Sequence, residues 1–384
     1  MKNIIPYGKQ SISQKDIDEV VKVLKSDFLT QGPKISEFEE KIRLYVGAKY
    51  CVVLNSGTAA LHSAYYACGL NNNDQLVTSP MTFAATSNAA LYQGGEVKFV
   101  DINSSGNIDV NCIEKKITKK TKIISPIHFG GNPVDLKSIN KLAKKYNLKI
   151  VEDACHALGA SYMGKKIGSC EYSDAVVFSF HPVKHITTGE GGAVTTNNLE
   201  IYKKLLLFRS HGITKNEADF KNANDGPWYH EMQDLGFNYR ITDLQAALGI
   251  SQLKRLDGFI NKRTKIAQYY DDAFKSNPYF SIPQKNKDCV NSYHLYPILL
   301  NEKYYSFKKE IFNKLKDKNI FVQVHYIPVY FHPYYQALGY KKGACPNAEE
   351  FYKSEISLPM YYDLTQTQQK YVISSLMQIL KELI

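Results

Sequence analysis

The sequence predicts an α/β fold in which a mixed, mostly parallel sheet is covered by helices on both faces and followed by a smaller α+β unit. Three observations carry this. Short apolar runs alternate with amphipathic stretches over the first 240 residues, as strand–helix units do. Beyond residue 240 the strands become fewer and Tyr, Lys and Pro more frequent. At 384 residues the chain is also long for one domain.

Taken in order, Ile35, Phe38, Ile42 and Val46 mark an amphipathic helix stopped by Gly47. A strand is expected at Tyr50–Leu54, a turn at Asn55–Thr58 and a helix at Ala59–Cys68. Further strands are expected at Gln75–Thr78, Lys98–Ile102, Lys122–Pro126, Leu148–Glu152, Ala175–Phe180 and Gly192–Thr195, with helices at Leu136–Tyr146 and Leu199–Phe208. Thr242 reads as an N-cap opening one long helix to about Ile260, with Leu244, Leu248, Leu253 and Leu256 on its apolar side. A large domain over residues 1–250 and a small one over 251–384 follow from this pattern. No internal repeat or low-complexity segment interrupts it.

The net charge is +11. A basic chain suits nucleic acid or an anionic small molecule. The lysines are spread along the chain, not gathered in a block, which favours the second. The seven cysteines are widely spaced without a CxxC, so neither a disulfide framework nor a metal site is expected. MKNIIPYGKQ lacks the apolar stretch of a signal peptide, and no run reaches the roughly 18 apolar residues of a membrane span. A cytoplasmic protein is expected, with no membrane partner.

Three segments carry chemistry. Asn55-Ser56-Gly57-Thr58 lies between a strand and a helix, where free N–H groups and the positive dipole end suit a phosphate; an ordinary Ser/Thr-capped helix reads the same way. Glu152-Asp153-Ala154-Cys155-His156 follows a strand, at the sheet edge where ligands of open α/β folds bind. A carboxylate there can pair with a protonated pyridine nitrogen or merely cap a helix. His156 can reach a phenolic oxygen or face a polar rim. Ser179-Phe180-His181-Pro182-Val183-Lys184 delivers a lysine into a loop that continues through Thr187-Thr188-Gly189-Glu190-Gly191-Gly192. An amine of lowered pKa there suits a Schiff base, although most lysines are solvated.

The ordered set SGTAALH, EDACHALGA, SFHPVKHITTGEGGAV and LGFNYRITDLQAALG resembles the DegT/DnrJ/EryC1/StrS sugar aminotransferases over nearly the whole chain. The resemblance implies a fold-type I architecture, the cofactor pyridoxal 5′-phosphate (PLP) and amino transfer to a nucleotide-linked keto-sugar. IPYGKQ, WYHEMQDLGFNYR and VHYIPVYFHPYY are most similar to the subgroup that serves pseudaminic-acid biosynthesis, using a UDP-linked 4-keto-6-deoxy-N-acetylhexosamine. The resemblance also implies L-glutamate as a donor and a homodimer with shared active sites.

Residue by residue, the resemblance implies that Lys184 forms the imine and shuttles the proton, and that Asp153 pairs with the pyridine nitrogen. Ser179, Gly57 and Thr58 hold the phosphate. Phe83 stacks on the cofactor ring, unless it is a core aromatic, and Asn238 reaches the phosphate of the neighbouring subunit's cofactor. Tyr7, Phe28, Leu29, Thr30, His325 and Tyr326 line the sugar-nucleotide site. His185 departs from the pattern, which leads us to expect Pro after the lysine. Relatives that dehydrate sugars carry His in place of the lysine, so Lys184 argues for amino transfer. Alternatives are an aminotransferase for a GDP- or dTDP-linked 3- or 4-keto sugar, an amino-acid transaminase of the same fold, and a non-enzymatic basic regulator.

Overall fold

In the structure, a computed structural model describing residues 4–383, the alternation becomes a seven-stranded sheet. Its strands are β1 (Tyr50–Leu54), β2 (Gln75–Thr78), β3 (Glu96–Phe99), β4 (Thr121–Ser125), β5 (Lys149–Asp153), β6 (Ala175–Ser179) and β7 (Gly192–Thr196). They lie in the order β1-β7-β6-β5-β4-β2-β3. From β3 through β6 all neighbours are parallel, while β7 is antiparallel to both β6 and β1. β1, β2, β4, β5 and β6 therefore point the same way, and their carboxyl ends share one edge.

Strand alternation sends successive side chains to opposite faces. Val53, Val77, Ile124 and Val176 join a core with Phe38, Ile42 and Val46 of helix α2 (Pro33–Val46). Val52, Leu54, Leu76, Val151 and Val177 join a second core with the buried side of α3 (Gly57–Ala67) and of α4 (Ala85–Tyr92). Each fully buried side chain of this size contributes about 1.5–3 kcal/mol. α5 (Leu136–Tyr146) covers the first face and α6 (Leu199–Arg209) the second. Before them lies α1 (Gln14–Leu24), which the sequence reading did not include; nor did it include α4.

The long helix expected from Thr242 to Ile260 is corrected to two, α7 (Asp243–Leu253) and α8 (Leu256–Phe274). The break sits at Lys254-Arg255, where Arg255 Nη1 donates to Asp16 Oδ2 of α1 at 2.8 Å and its guanidinium covers the Phe259 ring. A third core follows. It joins the second half of α8, an antiparallel sheet of β8 (Phe280–Ser281), β9 (Tyr296–Leu300) and β10 (Glu355–Leu358), α9 (Lys308–Asp317) and α10 (Gln366–Glu382). Ile5 of the N-terminal arm is buried in this core too, bridged to Ile320.

Candidate active site

The shared carboxyl edge of the sheet gathers the three segments singled out in the sequence. Ser56 caps α3, accepting from Ala59 N at 3.0 Å. That leaves the first helical N–H groups, at Gly57 and Thr58, without helical acceptors. Gly57 lies against the end of β6: a Cβ there would stand 2.9 Å from Ser179 Cβ and 3.0 Å from its Oγ. Any larger residue would push the turn away from Ser179. The Ser179 hydroxyl stands beside an N-terminal helix dipole, a donor set suited to a dianionic phosphate.

Asp153 ends β5 and is buried. Its Oδ2 accepts from Thr86 Oγ1 at 2.6 Å and its Oδ1 from Cys155 N at 3.2 Å. No cation forms an ion pair with it among the described residues, so it is a buried carboxylate held only by neutral donors. His156 is buried beside it; Nε2 lies 3.0 Å from the Tyr326 hydroxyl, and Nδ1 has no partner among the described residues. When Tyr326 donates to Nε2, Nδ1 carries the hydrogen and can donate outward. Burial, reinforced by Lys184, holds this imidazole well below the usual histidine range, hence neutral.

Lys184 follows β6 in a bend and is half-buried. Burial pulls its amine below the ordinary lysine value, while Cys155 and Asp153 act in the opposite direction. A larger neutral fraction makes it a better nucleophile and base than a surface lysine. His185 turns from this edge: it is buried, and Nε2 lies 3.0 Å from the Ser292 carbonyl oxygen.

The arm and the C-terminal part complete the group. Tyr7 and His325 rings stand 5.6 Å apart, and His325 and Tyr326 rings 4.8 Å apart. Gly8 approaches Val183, so the arm runs directly beside the lysine loop. Phe83, just before α4, is 67% exposed, which excludes a core role. Asn238 is exposed as well, and its carbonyl accepts from Asn55 Nδ2 at 3.3 Å, placing it next to the phosphate-type turn of its own chain. Phe28, Leu29 and Thr30 are exposed and tied to the start of α7: Asp243 N donates to Leu29 O at 3.0 Å, and Thr30 bridges Thr242. They are bonded to that helix start, not to the group around Asp153 and Lys184.

Several residues here were not reached from the sequence. Thr86 holds Asp153, and Thr82 holds Thr86 at 2.7 Å; their spacing of four at a helix start was the available signal. The His294 ring lies 4.3 Å from that of His156, tilted by 37°, with its own Nδ1 unpartnered among the described residues, and nothing in its local sequence marks it. Glu355 and Ser357 alternate along β10 and reach His325.

The residues fit PLP: a helix start and a hydroxyl for phosphate, a buried carboxylate for a ring nitrogen, an unpartnered imidazole nitrogen for a phenolic oxygen, and an amine for an aldehyde.

The chain is similar along its whole length to proteins named as aminotransferases. A transaminase from Campylobacter jejuni, named UDP-4-amino-4,6-dideoxy-N-acetyl-beta-L-altrosamine transaminase, is 45% identical over 99% of this chain and 98% of its own length. The structure of Helicobacter pylori PseC, an aminotransferase involved in the biosynthesis of pseudoaminic acid, superposes with a TM-score of 0.93 at 37% identity, covering 99% of this chain and 100% of that one. The PLP form of a putative sugar aminotransferase, Spr1654 from Streptococcus pneumoniae, gives 0.91 at 28% identity with both chains fully covered (100% each). The sequence pattern of one family spans residues 10–377, and by that match and these relatives the chain belongs to the DegT/DnrJ/EryC1/StrS aminotransferase family.

Proposed function

We propose that this aminotransferase uses PLP to convert a UDP-linked 4-keto-6-deoxy-N-acetylhexosamine to the 4-amino sugar, with L-glutamate as donor, in pseudaminic-acid biosynthesis. The observation that carries the reading is the juxtaposition of a lysine amine of lowered pKa with a buried, unpaired carboxylate at the sheet edge. The 45% identity to the Campylobacter jejuni transaminase supports the choice of sugar.

In this reading Gly57, Thr58 and Ser179 bind the cofactor phosphate, Asp153 keeps a proton on the ring nitrogen, and His156 Nδ1 donates to the phenolic oxygen. Phe83 covers the ring, and Asn238 reaches the phosphate bound to the partner subunit. When bound, PLP supplies an aldehyde that captures amino groups and a ring that delocalises the electron pair left by C–H cleavage. Lys184 Nζ takes the proton from the donor's α-carbon and, in the second half-reaction, delivers one to C4 of the sugar. Tyr7, Phe28, Leu29, Thr30, His325 and Tyr326 orient the nucleotide sugar. One site serves donor and acceptor in turn, so kinetics are ping-pong.

The same proposal divides the chain at 250/251 into a large and a small domain; the third core draws on residues 266–380 and Ile5, while Leu253–Ile260 and Val329–Phe351 pack on the cores of the large sheet. It places the enzyme in the cytoplasm; among the described residues no helix is long and apolar enough to cross a membrane. It also makes the protein a homodimer. Ile17, Val21, Leu24 and Phe28 on one side, and Trp228, Met232 and Leu235 on another, are exposed apolar side chains that a second subunit would cover.

The test is incubation with glutamate and UDP-, GDP- and dTDP-linked 4-keto sugars, read by mass spectrometry. Amination of the UDP-linked N-acetylhexosamine is expected. Lys184→Ala should lose roughly 10²–10⁴-fold through proton transfer alone. Full turnover by that variant, or preference for another nucleotide, overturns the reading.

A further inference from the structure

β10 carries two polar residues where a buried strand should have none. Glu355 and Ser357 are fully buried, two apart on the strand, and so point to the same side. The segment around residue 323 pairs with this strand through Gln323 and Ser357, which brings His325 over both. Glu355 Oε2 accepts from His325 N at 2.7 Å, and Ser357 Oγ donates to Glu355 Oε1 at 2.5 Å. His325 Nδ1 lies 2.8 Å from Ser357 Oγ. These contacts form one line from a buried carboxyl to an imidazole whose ring stands against Tyr7 and Tyr326.

We propose that Glu355, acting through Ser357, is a positioning residue that sets which ring nitrogen of His325 carries its proton, so that the three form a proton relay ending at the substrate-facing Nε2. The proposal rests on the reading above that His325 lines the sugar site.

The hydrogen-bond directions give two states. With Glu355 ionised, Ser357 O–H donates to the carboxylate and Oγ accepts from His325 Nδ1–H, leaving Nε2 a bare acceptor. With Glu355 protonated, the carboxyl donates to Ser357 Oγ, Ser357 O–H donates to Nδ1, and Nε2 carries the hydrogen. The second state holds one proton more than the first. A proton taken up at Nε2 releases the Nδ1 proton to Ser357, and Ser357 passes its own to Glu355. The imidazole is neutral in both states.

The surroundings favour this route over an imidazolium. Burial, with Lys184 adding to it, pulls His325 down to about 3. Burial pushes Glu355 up to about 8, against the donors Ser357 and His325 N and Lys308 at the start of α9, whose own amine burial pulls down to about 8, so that the two titrate together. The groups facing His325 are Lys184, Tyr7 and Tyr326, all with protons held at neutral pH or, for Lys184, a charge that repels another. A proton arriving at Nε2 therefore rests on Glu355.

The test uses the PLP-loaded full chain labelled with ¹⁵N-histidine, with His325 assigned by difference from His325→Gln. Its two ring-nitrogen shifts are followed from pH 6.5 to 9.5. We expect Nε2–H below and Nδ1–H above a crossover near pH 8. Glu355→Gln mimics the protonated carboxyl and should fix Nε2–H at every pH, and the matching inflection in kcat/KM should vanish. Ser357→Ala should remove the crossover while Glu355 is still present. A wild-type His325 that keeps one tautomer throughout, or one that titrates equally in Glu355→Gln, overturns the relay. The wild-type titration decides even where a variant fails to fold. Because the shifts are read without turnover, the relay and the substrate assignment fail separately. A switching His325 in a protein inert toward UDP-keto-sugars sinks only the assignment.

Discussion

At the scale of single residues, the site contrasts an amine whose pKa burial lowers with a carboxylate that neutral donors keep in place. Asp153 receives Thr86 Oγ1 and Cys155 N, and no guanidinium or ammonium neutralises it within hydrogen-bond reach among the described residues. Its charge is thus available to a cationic ligand nitrogen, whose proton it would hold. Asp153→Asn preserves size and an acceptor for Thr86 but removes the charge. We expect the fold and melting temperature to stay close to wild type while the glutamate half-reaction slows by roughly 10²–10³-fold, the scale of losing one electrostatic stabiliser of developing charge. Stopped-flow decay of the visible cofactor band on mixing with glutamate measures it. An unchanged rate would show that the carboxylate is only a structural cap. Lys184 and Asp153 were legible in sequence because each follows an apolar run, where a strand must end and a polar side chain must meet the edge. Glu355 and Ser357 were not, because their significance depends on a segment thirty residues away crossing the same strand.

At the scale of elements, apolar periodicity located most strands and helices of the sheet to within two residues. It failed where polar contacts decide. α1 opens with a capping box in which Ser13 and Asp16 satisfy each other's backbone N–H groups. Three of its apolar residues, Ile17, Val21 and Leu24, face outward, so the stripe that usually reveals a helix does not mark its buried side. What holds α1 is Asp16, fully buried, accepting from Ser251 Oγ at 2.6 Å, Gln252 Nε2 at 2.8 Å and Arg255 Nη1 at 2.8 Å. Burial acts to raise this carboxyl, but the hydroxyl and amide donors prevail and hold it below the usual range. The same contacts end α7 at Leu253, which no pattern of leucines reveals. Asp16→Ala strands five donors, the three on α7 and beyond and the Ser13 N–H and hydroxyl of the cap, and should cost about 2–4 kcal/mol, less than a fully buried ion pair because Arg255 is partly exposed. Ser13→Ala, which removes only the cap hydroxyl, should cost about 1 kcal/mol. Urea midpoints of the two variants check this. Equal losses would mean that the α1–α7 contact contributes little beyond the cap.

At the scale of the molecule, burial of neutral histidines ties the lysine loop and the small sheet to acid sensitivity. His156, His185 and His294 form a chain of rings 4.3 and 5.6 Å apart through His294, between the lysine loop and the segment before β9. Burial holds all three well below the usual range, and pulls His62 to about 4 and His325 to about 3. An unfolded histidine titrates near 6.5, so below that pH the unfolded chain binds protons that the folded chain refuses. Stability is therefore full above about pH 6.5 and falls as the pH drops. Glu355 opposes this by one proton, because the folded carboxyl stays protonated up to about 8 while the unfolded one ionises above about 4.5. The histidines outnumber the carboxyl, so unfolding takes up protons on balance and stability falls steadily as the pH drops below about 6.5. The window from pH 6.5 to 5 spans the ordinary histidine range and lies above that of free carboxylates. Urea unfolding of the PLP-loaded protein across that window should show the midpoint falling steeply. His185→Gln, whose amide can still donate to the Ser292 carbonyl oxygen, should flatten the slope by about one proton without touching the sheet-edge group. A midpoint that stays level from pH 6.5 to 5 would mean that these imidazoles accept protons inside the fold, and the neutral state assigned to His156 and His325 would fall with it.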